Sequence, residues 1–553
     1  MISIQNLLCE GCWLAPILAV GMGSFLAYAE THYKFRFIPS RYKRRAPEII
    51  ADLPRRLSPQ QPLPILIFIK DAHIYPIQIE SVRVRIWTET STLQDKIFAL
   101  NEKVSQHWWH RVLHIAVPAK AVGWHRVSVD FTVMNAGVRQ AFSADNYVLS
   151  GHEPFFCYFA SEPLPLLDNY YTGDLHTHSW YTSDQVEFGA PPAAMTEMAR
   201  AAGHQFLAIT DHSYDLDDES DNYLKNDKTL QKWRSFLEET KQLNADTEDF
   251  VVIPGEEVSC GNSRGQNVHF LVLNNAQYLP GAGDSGERWF RTRPDLKIEQ
   301  VMAQADSGAA FFAAHPEMPM PFLQRLLLGR NVWRWPDYQH DALHGLQLWN
   351  GHPDGISSAR ESWIRLLLAG KRRFIIAGSD AHGDFNRSRQ IKIPHLLMEE
   401  HEEFHYFGQH RTIASIKGAF SLTNLVEALK TGACSITSGP FLALTGRTAT
   451  GEAIEMGGTL CGAHTRLEII AISNSEIGAL KAVRIYRGCA GQIDETLFLS
   501  EALPAGTMNY RTSFAIEHGD TSDCYYRAEV DCEQKSPASA QAMSNPIWHV
   551  NKA

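Results

Sequence analysis

The chain has 553 residues, 44% hydrophobic and 20% charged, with 13 Trp and a formal net charge of -11. At about 150 residues per domain this length calls for roughly three or four domains, and the apolar content excludes a disordered or low-complexity protein. The acidic balance excludes a general nucleic-acid binder, since phosphate backbones are held by excess Lys and Arg, and leaves a small molecule as the expected partner.

The first segment, 1–59, holds Cys9 and Cys12 in a C-x-x-C pair, but no second pair follows at zinc-ribbon spacing, so no metal is expected there. With nine scattered Cys, an odd number, the sequence speaks against a disulfide framework and for a reducing, cytoplasmic compartment. The apolar run "WLAPILAVGMGSFLAYAE" ends in Ala27-Tyr28-Ala29, which imitates a signal-peptidase site. It lacks a basic residue before it, is broken by Pro and Gly, and is followed by the basic cluster "KFRFIPSRYKRR", the reverse of signal-peptide order. Two readings stay open. A short helix from Trp13 to Ala29 sits at the lower edge of the roughly 17–25 residues a bilayer needs, giving weak membrane contact through residues 13–45; alternatively the helix is buried or caps the folded body.

Residues 60–164 contain "LPILIFIKDA", "IESVRVRIWTE", "VLHIAVPA" and "WHRVSVDFTVM", short β-branched runs with period-two alternation that predict a β-sandwich-like domain. The same pattern returns over 441–553 in "RLEIIAISNS", "KAVRIYRG" and "YYRAEVD". Between them, 165–440 alternates apolar runs ("FLAIT", "FVVIPGEEVS", "HFLVL", "AAFFAAH", "GLQLWNG", "FIIAGSD") with helix-prone segments such as "PAAMTEMARAAG" and "LVEALKTGA". The expected fold is therefore α/β: a β/α barrel flanked by two β-sandwich-like domains.

The polar residues fall at the ends of those strands. His176, His178, Asp211, His212, Glu257, His315, Asp380 and His382 lie at or just past C-terminal ends, while His269 opens its own strand. In a β/α barrel these ends converge on one mouth, and residues i and i+2 of a strand share a face, so His176 and His178 can aim at one ion. Imidazole and carboxylate suit Zn, Mn and Fe. A carboxylate such as Glu257 can bridge two ions held roughly 3.5–4 Å apart, an arrangement that activates water. The expected cofactors are two or three divalent metal ions, Mn, Zn or Fe.

"DLHTHS", Ser183-Asp184, "ITDHS", "PGEEVS", "NVHFL", "AAHPE" and "AGSDAHG" occur in an order that resembles the PHP superfamily, the polymerase and histidinol phosphatase metal-dependent phosphoesterases, over roughly half the chain. The resemblance implies a distorted (β/α)7-type barrel over 165–440. It implies that His176, His178, Glu257 and Asp380 hold a first metal, that Glu257 bridges to a second completed by His269 and His315, and that Asp184, His212 and His382 form a third. The family spacing Gly-x-Glu-x-Ser, met by Gly255, Glu257 and Ser259, selects Glu257 over Glu256. Asp174 and Asp211 fit roles orienting imidazoles, and His204 is expected on the surface. Here Gln185 and "VEFGAPP" follow Ser183-Asp184 where many phosphatase-like members have Gly, which puts the third site in doubt.

The resemblance implies a phosphoesterase that attacks with a metal-bridging hydroxide. The three-part organisation is also similar to a branch that includes carbamate-ester hydrolases, so phosphate and carbamate esters are both expected substrates. A phosphoryl group calls for fixed cations, for which Arg264, Arg387 and Arg389 are candidates, Arg264 and Arg387 first. A third reading, a metal-holding structural module, is disfavoured because all nine ligand positions are filled. For proton transfer, Asp211, Tyr214 and His352 are candidates, Asp211 first beside Glu257. The loops "NAQYLPGAGDSGERWFRTRPDL" and "GRNVWRWPDYQHDALHG" are read as a lid or rim, or as plain packing.

Overall fold

The strand Ile77–Trp87, IQIESVRVRIW, shows how the sequence writes the N-terminal sheets. Ile77, Ile79, Val82, Val84 and Ile86 are buried, and a β-bulge between Ile79 and Ser81 carries the buried set from odd to even positions. This strand lies in a six-stranded sheet with Arg56–Leu57, Thr92–Val104, Gly123–Asn135, Val138–Ser143 and Phe155–Phe159. A three-stranded sheet of Glu48–Asp52, Leu63–Lys70 and Trp108–Ile115 shares its core, with Ile65, Ile67 and Ile69 among the same buried cluster as Val82, Val84 and Val129. The computed structural model describes residues 46–550 apart from 147–151, 184–188, 221, 282–291, 321, 352, 384, 386–390, 394–395, 399–404, 463, 517–522 and 534–538. The C-x-x-C pair and the Trp13–Ala29 helix reading lie outside the described residues, among which no helix is long and apolar enough to cross a membrane.

The middle of the chain builds nine strands of a 15-stranded sheet. In spatial order its strands are Phe374–Ala377, Gly345–Trp349, Ala310–Ala313, Asn267–Leu273, Val251–Gly261, Phe206–His212, Tyr170–Thr177, Arg411–Ser415 and Cys434–Thr437. Phe206–His212 and Asn267–Leu273 are buried throughout, as the near-continuous apolar runs require of strands covered on both faces. The sheet curls until its first strand returns to its seventh, where His178 N donates to Ala381 O at 2.8 Å and Asp380 N to His176 O at 2.8 Å. That curl is what gathers the strand ends.

The expected α/β fold with a distorted (β/α)7-type barrel is met only in part: the sheet curls, but a (β/α)7 barrel is not shown among the described residues. The described protein is mostly β, with 45% strand and 16% helix, and its sheet is a mixed, curled half-barrel. The physical reason is a hairpin. Val251–Gly261 runs antiparallel to Asn267–Leu273, and the latter antiparallel to Ala310–Ala313, where a β/α barrel demands parallel neighbours and crossover helices. The turn Asn262–Gln266 closes it, with the Asn262 side chain accepting from Arg264 N and Gln266 N, and Gly265 supplying φ +72°. Helices remain at Pro192–Ala202, Gln231–Asp246, Ile356–Leu368 and Leu422–Thr431, among others.

Past Cys434–Thr437 the same sheet continues without interruption into Gln541–Ser544, Cys524–Cys532, Leu480–Cys489 and Thr496–Ala502. A four-stranded sheet containing Phe441–Arg447, Thr465–Ile472 and Asn509–Ile516 packs on this extension through Leu444, Leu467, Ile485 and Val530. Cys489 and Cys524 face each other in the register of two of these strands and form a disulfide, a single bridge where the sequence spoke against a disulfide framework. They are 35 residues apart, and strand pairing alone brings them together.

Candidate metal centre

His176 is the penultimate residue of the Tyr170–Thr177 strand and His178 follows it. Both are fully buried, with their Nε2 atoms 3.2 Å apart. The Glu257 carboxylate lies at the heart of the cluster. Its Oε1 is 2.7 Å from His269 Nδ1, 2.9 Å from His315 Nε2 and 3.4 Å from His176 Nε2, while its Oε2 is 3.0 Å from His212 Nδ1 and 3.4 Å from His178 Nε2. Asp380 Oδ1 closes one side, 3.3 Å from His176 Nε2 and 3.2 Å from His178 Nε2. The His382 ring stacks on His178 at 4.2 Å, and His178, His212 and His382 form a second group able to converge on one ion. The structure thus brings eight of the nine expected ligands together; the ninth, Asp184, lies outside the described residues.

The spacing of these atoms is that of a metal's ligands. Four donors at about 2.0–2.1 Å from one tetrahedral ion stand about 3.3–3.4 Å from one another. His176 Nε2, His178 Nε2 and Asp380 Oδ1 stand 3.2–3.3 Å from one another, and Glu257 adds Oε1 3.4 Å from His176 Nε2 and Oε2 3.4 Å from His178 Nε2. The two imidazole nitrogens can share one proton in a hydrogen bond or turn both lone pairs toward one cation. Burial works against protonation of His176, but Asp380 and Glu257 push it up to about 9. Burial likewise opposes ionisation of Glu257, yet His269 and His176 hold it well below the carboxylate range. His178 is driven well down by burial and by His382 and His212 facing it. The residues fit a site for more than one divalent cation.

Two of the expected ligands sit on strained, left-handed backbone. His315 has φ 27° and Asp380 φ 58°, both left-handed without being glycine.

Other residues position the ligands. Gln347 Oε1 accepts from His176 Nδ1 at 2.9 Å and from His315 N at 3.3 Å, while its amide donates to Gly378 O at 3.3 Å. This fixes the His176 tautomer so that Nε2 faces the carboxylates. The Gln347 signal was present in the sequence as one polar residue inside the apolar strand GLQLW. Thr182 Oγ1 plays a similar part, 3.3 Å from His178 Nδ1 and accepting from His212 N at 3.2 Å. Arg330 brings a guanidinium 3.0 Å from His269 Nε2. Nothing in the motif spacing pointed to it.

The expected imidazole-orienting roles of Asp174 and Asp211 are replaced by backbone roles. Asp174 accepts from His176 N, Ser379 N and Gly408 N. Asp211 accepts from Ser179 N and Oγ and from Thr182 N. Burial raises both carboxyls, Asp174 to about 6. Tyr214 stacks on His212 at 4.8 Å. His204, expected on the surface, is buried against Phe407, because the helix end after Ala202 is covered by the 405–411 segment. Arg264 is exposed on the hairpin turn; Gln185, His352, Arg387 and Arg389 lie outside the described residues. Trp333 and Tyr338 of the expected rim are core residues, which favours plain packing there.

Gln347→Leu deprives the buried His176 N–H of its acceptor, and we expect divalent-metal affinity to fall about 10–100-fold. Competition with a chromogenic chelator measures it; unchanged affinity would show that Gln347 does not orient the ligand.

No family model matches the chain, and no curated protein matches it. Solved structures similar to it include a β-glucuronidase of Parabacteroides merdae (9% identity, 92% of this chain and 64% of that one, TM-score 0.18). A β-D-mannosidase of Dictyoglomus thermophilum is also similar (8%, 90% and 66%, 0.21), as is a glycosyl hydrolase family 2 member of Bacteroides cellulosilyticus (9%, 91% and 63%, 0.15). The chain spans just under two thirds of the length of each. The family expectation is corrected: no family model matches the chain, and the solved structures named above are glycoside hydrolases and not PHP phosphoesterases, so PHP membership and the phosphoesterase and carbamate-ester hydrolase activities drawn from it are set aside. The motifs behind that resemblance are short strings around metal ligands, which specify donors at strand ends and neither a family nor a substrate. Likeness at these TM-scores passes neither fold nor sugar specificity to this chain.

Proposed function

We propose that the chain is a hydrolase of a small-molecule substrate whose reaction centre is the buried cluster around Glu257, and that this cluster binds at least two divalent ions of the Mn, Zn or Fe class. The observation that carries this reading is the convergence of His176, His178, Glu257 and Asp380, with one donor atom from each within 4.8 Å of the others and His176 Nε2, His178 Nε2 and Asp380 Oδ1 only 3.2–3.3 Å apart. When bound, such ions supply Lewis-acid polarisation and bring the acidity of water toward neutrality. The chain's own residues do the rest. Glu257 presents one oxygen to His269 and His315 and the other to His212, which suits a carboxylate shared between ions. Gln347 and Thr182 hold His176 and His178 in orientation, and Arg330 keeps a fixed positive charge beside His269. Asp211 serves the turn after His178, because its contacts are with Ser179 and Thr182 and none with the cluster.

Elemental analysis of unchelated protein is expected to find at least about two transition-metal ions per chain. Chromogenic ester, amide and glycoside panels should then show one class cleaved by the loaded protein and not after chelation. Less than about one ion, with no gain on adding Mn or Zn, would overturn the reading.

A further inference from the structure

A second constellation of metal-ligating side chains stands on the N-terminal three-stranded sheet, apart from the cluster around Glu257. Asp71 follows the strand Leu63–Lys70, His73 comes two residues later in the turn, and His107 immediately precedes the partner strand Trp108–Ile115. The ladder sets their register. Lys70 pairs with Trp108, and one step further Asp71 N donates to His107 O at 2.8 Å. Asp71 takes φ 67°, a left-handed conformation, and its carbonyl accepts from Ile74 N and Tyr75 N, which turns the chain so that residue 73 comes back over residue 107.

The side chains converge. Asp71 Oδ1 and His107 Nε2 are 3.4 Å apart, the His73 and His107 ring centroids 4.6 Å apart, and one donor atom from each of the three lies within 4.8 Å of the others. Two imidazoles and one carboxylate are the donor set of borderline divalent ions, and 3.4 Å is again the edge of a tetrahedron with bonds of about 2.0–2.1 Å. A hydrogen-bonded pair needs one histidine for the carboxylate; here two approach it. His107 is backed by Trp108, stacked at 4.8 Å, and its side chain is 23% exposed, with that of Asp71 16% exposed and His73 open to solvent. The donors are thus firm on the protein side and leave coordination positions facing water.

We propose that Asp71, His73 and His107 form a second metal site, a surface three-donor site for a borderline divalent cation such as Zn2+. Its chemistry is independent of the proposed reaction centre, since the two share no residue. Bound there, the ion clips the turn 71–75 to the start of the Trp108–Ile115 strand. Trp108 lies beside Trp180, 6.1 Å between ring centroids, so the clip also firms the wall that meets the segment following His178.

The test is Zn2+ titration of metal-stripped full-length protein by equilibrium dialysis, comparing wild type with His73→Ala, Asp71→Asn and Glu257→Gln. His73 is exposed, so its replacement leaves folding intact, which circular dichroism checks. We expect His73→Ala and Asp71→Asn each to weaken one binding event at least about tenfold, while Glu257→Gln, which strikes only the buried cluster, retains that event. A Zn2+-dependent rise in melting temperature present in Glu257→Gln and absent from the double variant Glu257→Gln/His73→Ala gives a second readout. If His73→Ala and Asp71→Asn bind Zn2+ with the stoichiometry and midpoints of wild type, the constellation is an ion pair only and the proposal falls.

Discussion

Glu257→Gln protein, purified beside the wild type, is expected to hold less than about one divalent ion per chain and to lose at least about a hundredfold in turnover of any substrate the panels identify. Five imidazoles lie within 3.4 Å of this one carboxylate, so an ion held by any of them meets its negative charge. The amide keeps the shape and removes the charge. It also puts an NH2 donor where one oxygen faced a histidine nitrogen, so tautomers must change or a contact must break. Glu256→Gln is the control one residue away. Glu256 is buried, burial holds its carboxyl well above the ordinary range, and its Oε2 accepts from Leu279 N at 3.2 Å. A protonated carboxyl and an amide are near-isosteres that both accept there, so this change should cost less than about tenfold in turnover. If Glu256→Gln proves the more damaging, or if Glu257→Gln retains full metal, the assignment of the shared carboxylate is wrong.

The second large effect is steric. Gly378 follows the strand Phe374–Ala377 where the sheet curls back on itself, and a Cβ there would stand 2.5 Å from His176 N, 2.8 Å from His176 Cβ and 2.9 Å from Asp174 Oδ1. Two of these are backbone or backbone-anchored, so the two strands would have to part. We expect Gly378→Ala to destabilise the fold by at least about 3 kcal/mol and to strip metal from the cluster. Gly370→Ala is the comparison. Gly370 has φ +76° but nothing within 4 Å of an added Cβ, so only backbone strain opposes it, about 1 kcal/mol. Urea unfolding of both variants decides; equal losses would mean the close approach at His176 is not tight.

Most of the cluster was legible in the sequence because a polar residue at the end of an otherwise apolar run meets its counterparts from neighbouring strands there. His176, His178, His212, His315 and Asp380 obey that rule, whereas Glu257 lies inside the strand Val251–Gly261 and His269 inside Asn267–Leu273. The architecture was less legible. Val251–Gly261 and Asn267–Leu273 form a hairpin, yet the runs "FVVIPGEEVS" and "HFLVL" look the same whether the next strand is parallel or antiparallel, since burial on both faces removes the alternation that marks direction. Gln347 was visible as a polar break in its strand but carries no motif. Arg330 reaches His269 across 61 positions of sequence, and the Asp71–His73–His107 group depends on strand register, so neither leaves a local trace. The family resemblance failed for a related reason: ligand motifs describe the ion's surroundings and leave the rest of the chain unconstrained.

The sheet that carries the cluster is completed late in synthesis. Strand Cys434–Thr437 finds its outer partner only in Gln541–Ser544, and the Asn545 side chain then accepts from Ile375 N and donates to Ile375 O and Cys434 O, reaching back 170 and 111 positions. Thr437 and Gln541, in contact in the finished protein, are 104 residues apart. At about 5–20 residues per second a ribosome takes roughly 5–20 s to cover that gap. Throughout it Cys434–Thr437 is an open sheet edge, the kind of template that recruits foreign strands. The sheet around the buried cluster is therefore complete only after residue 545 has been made.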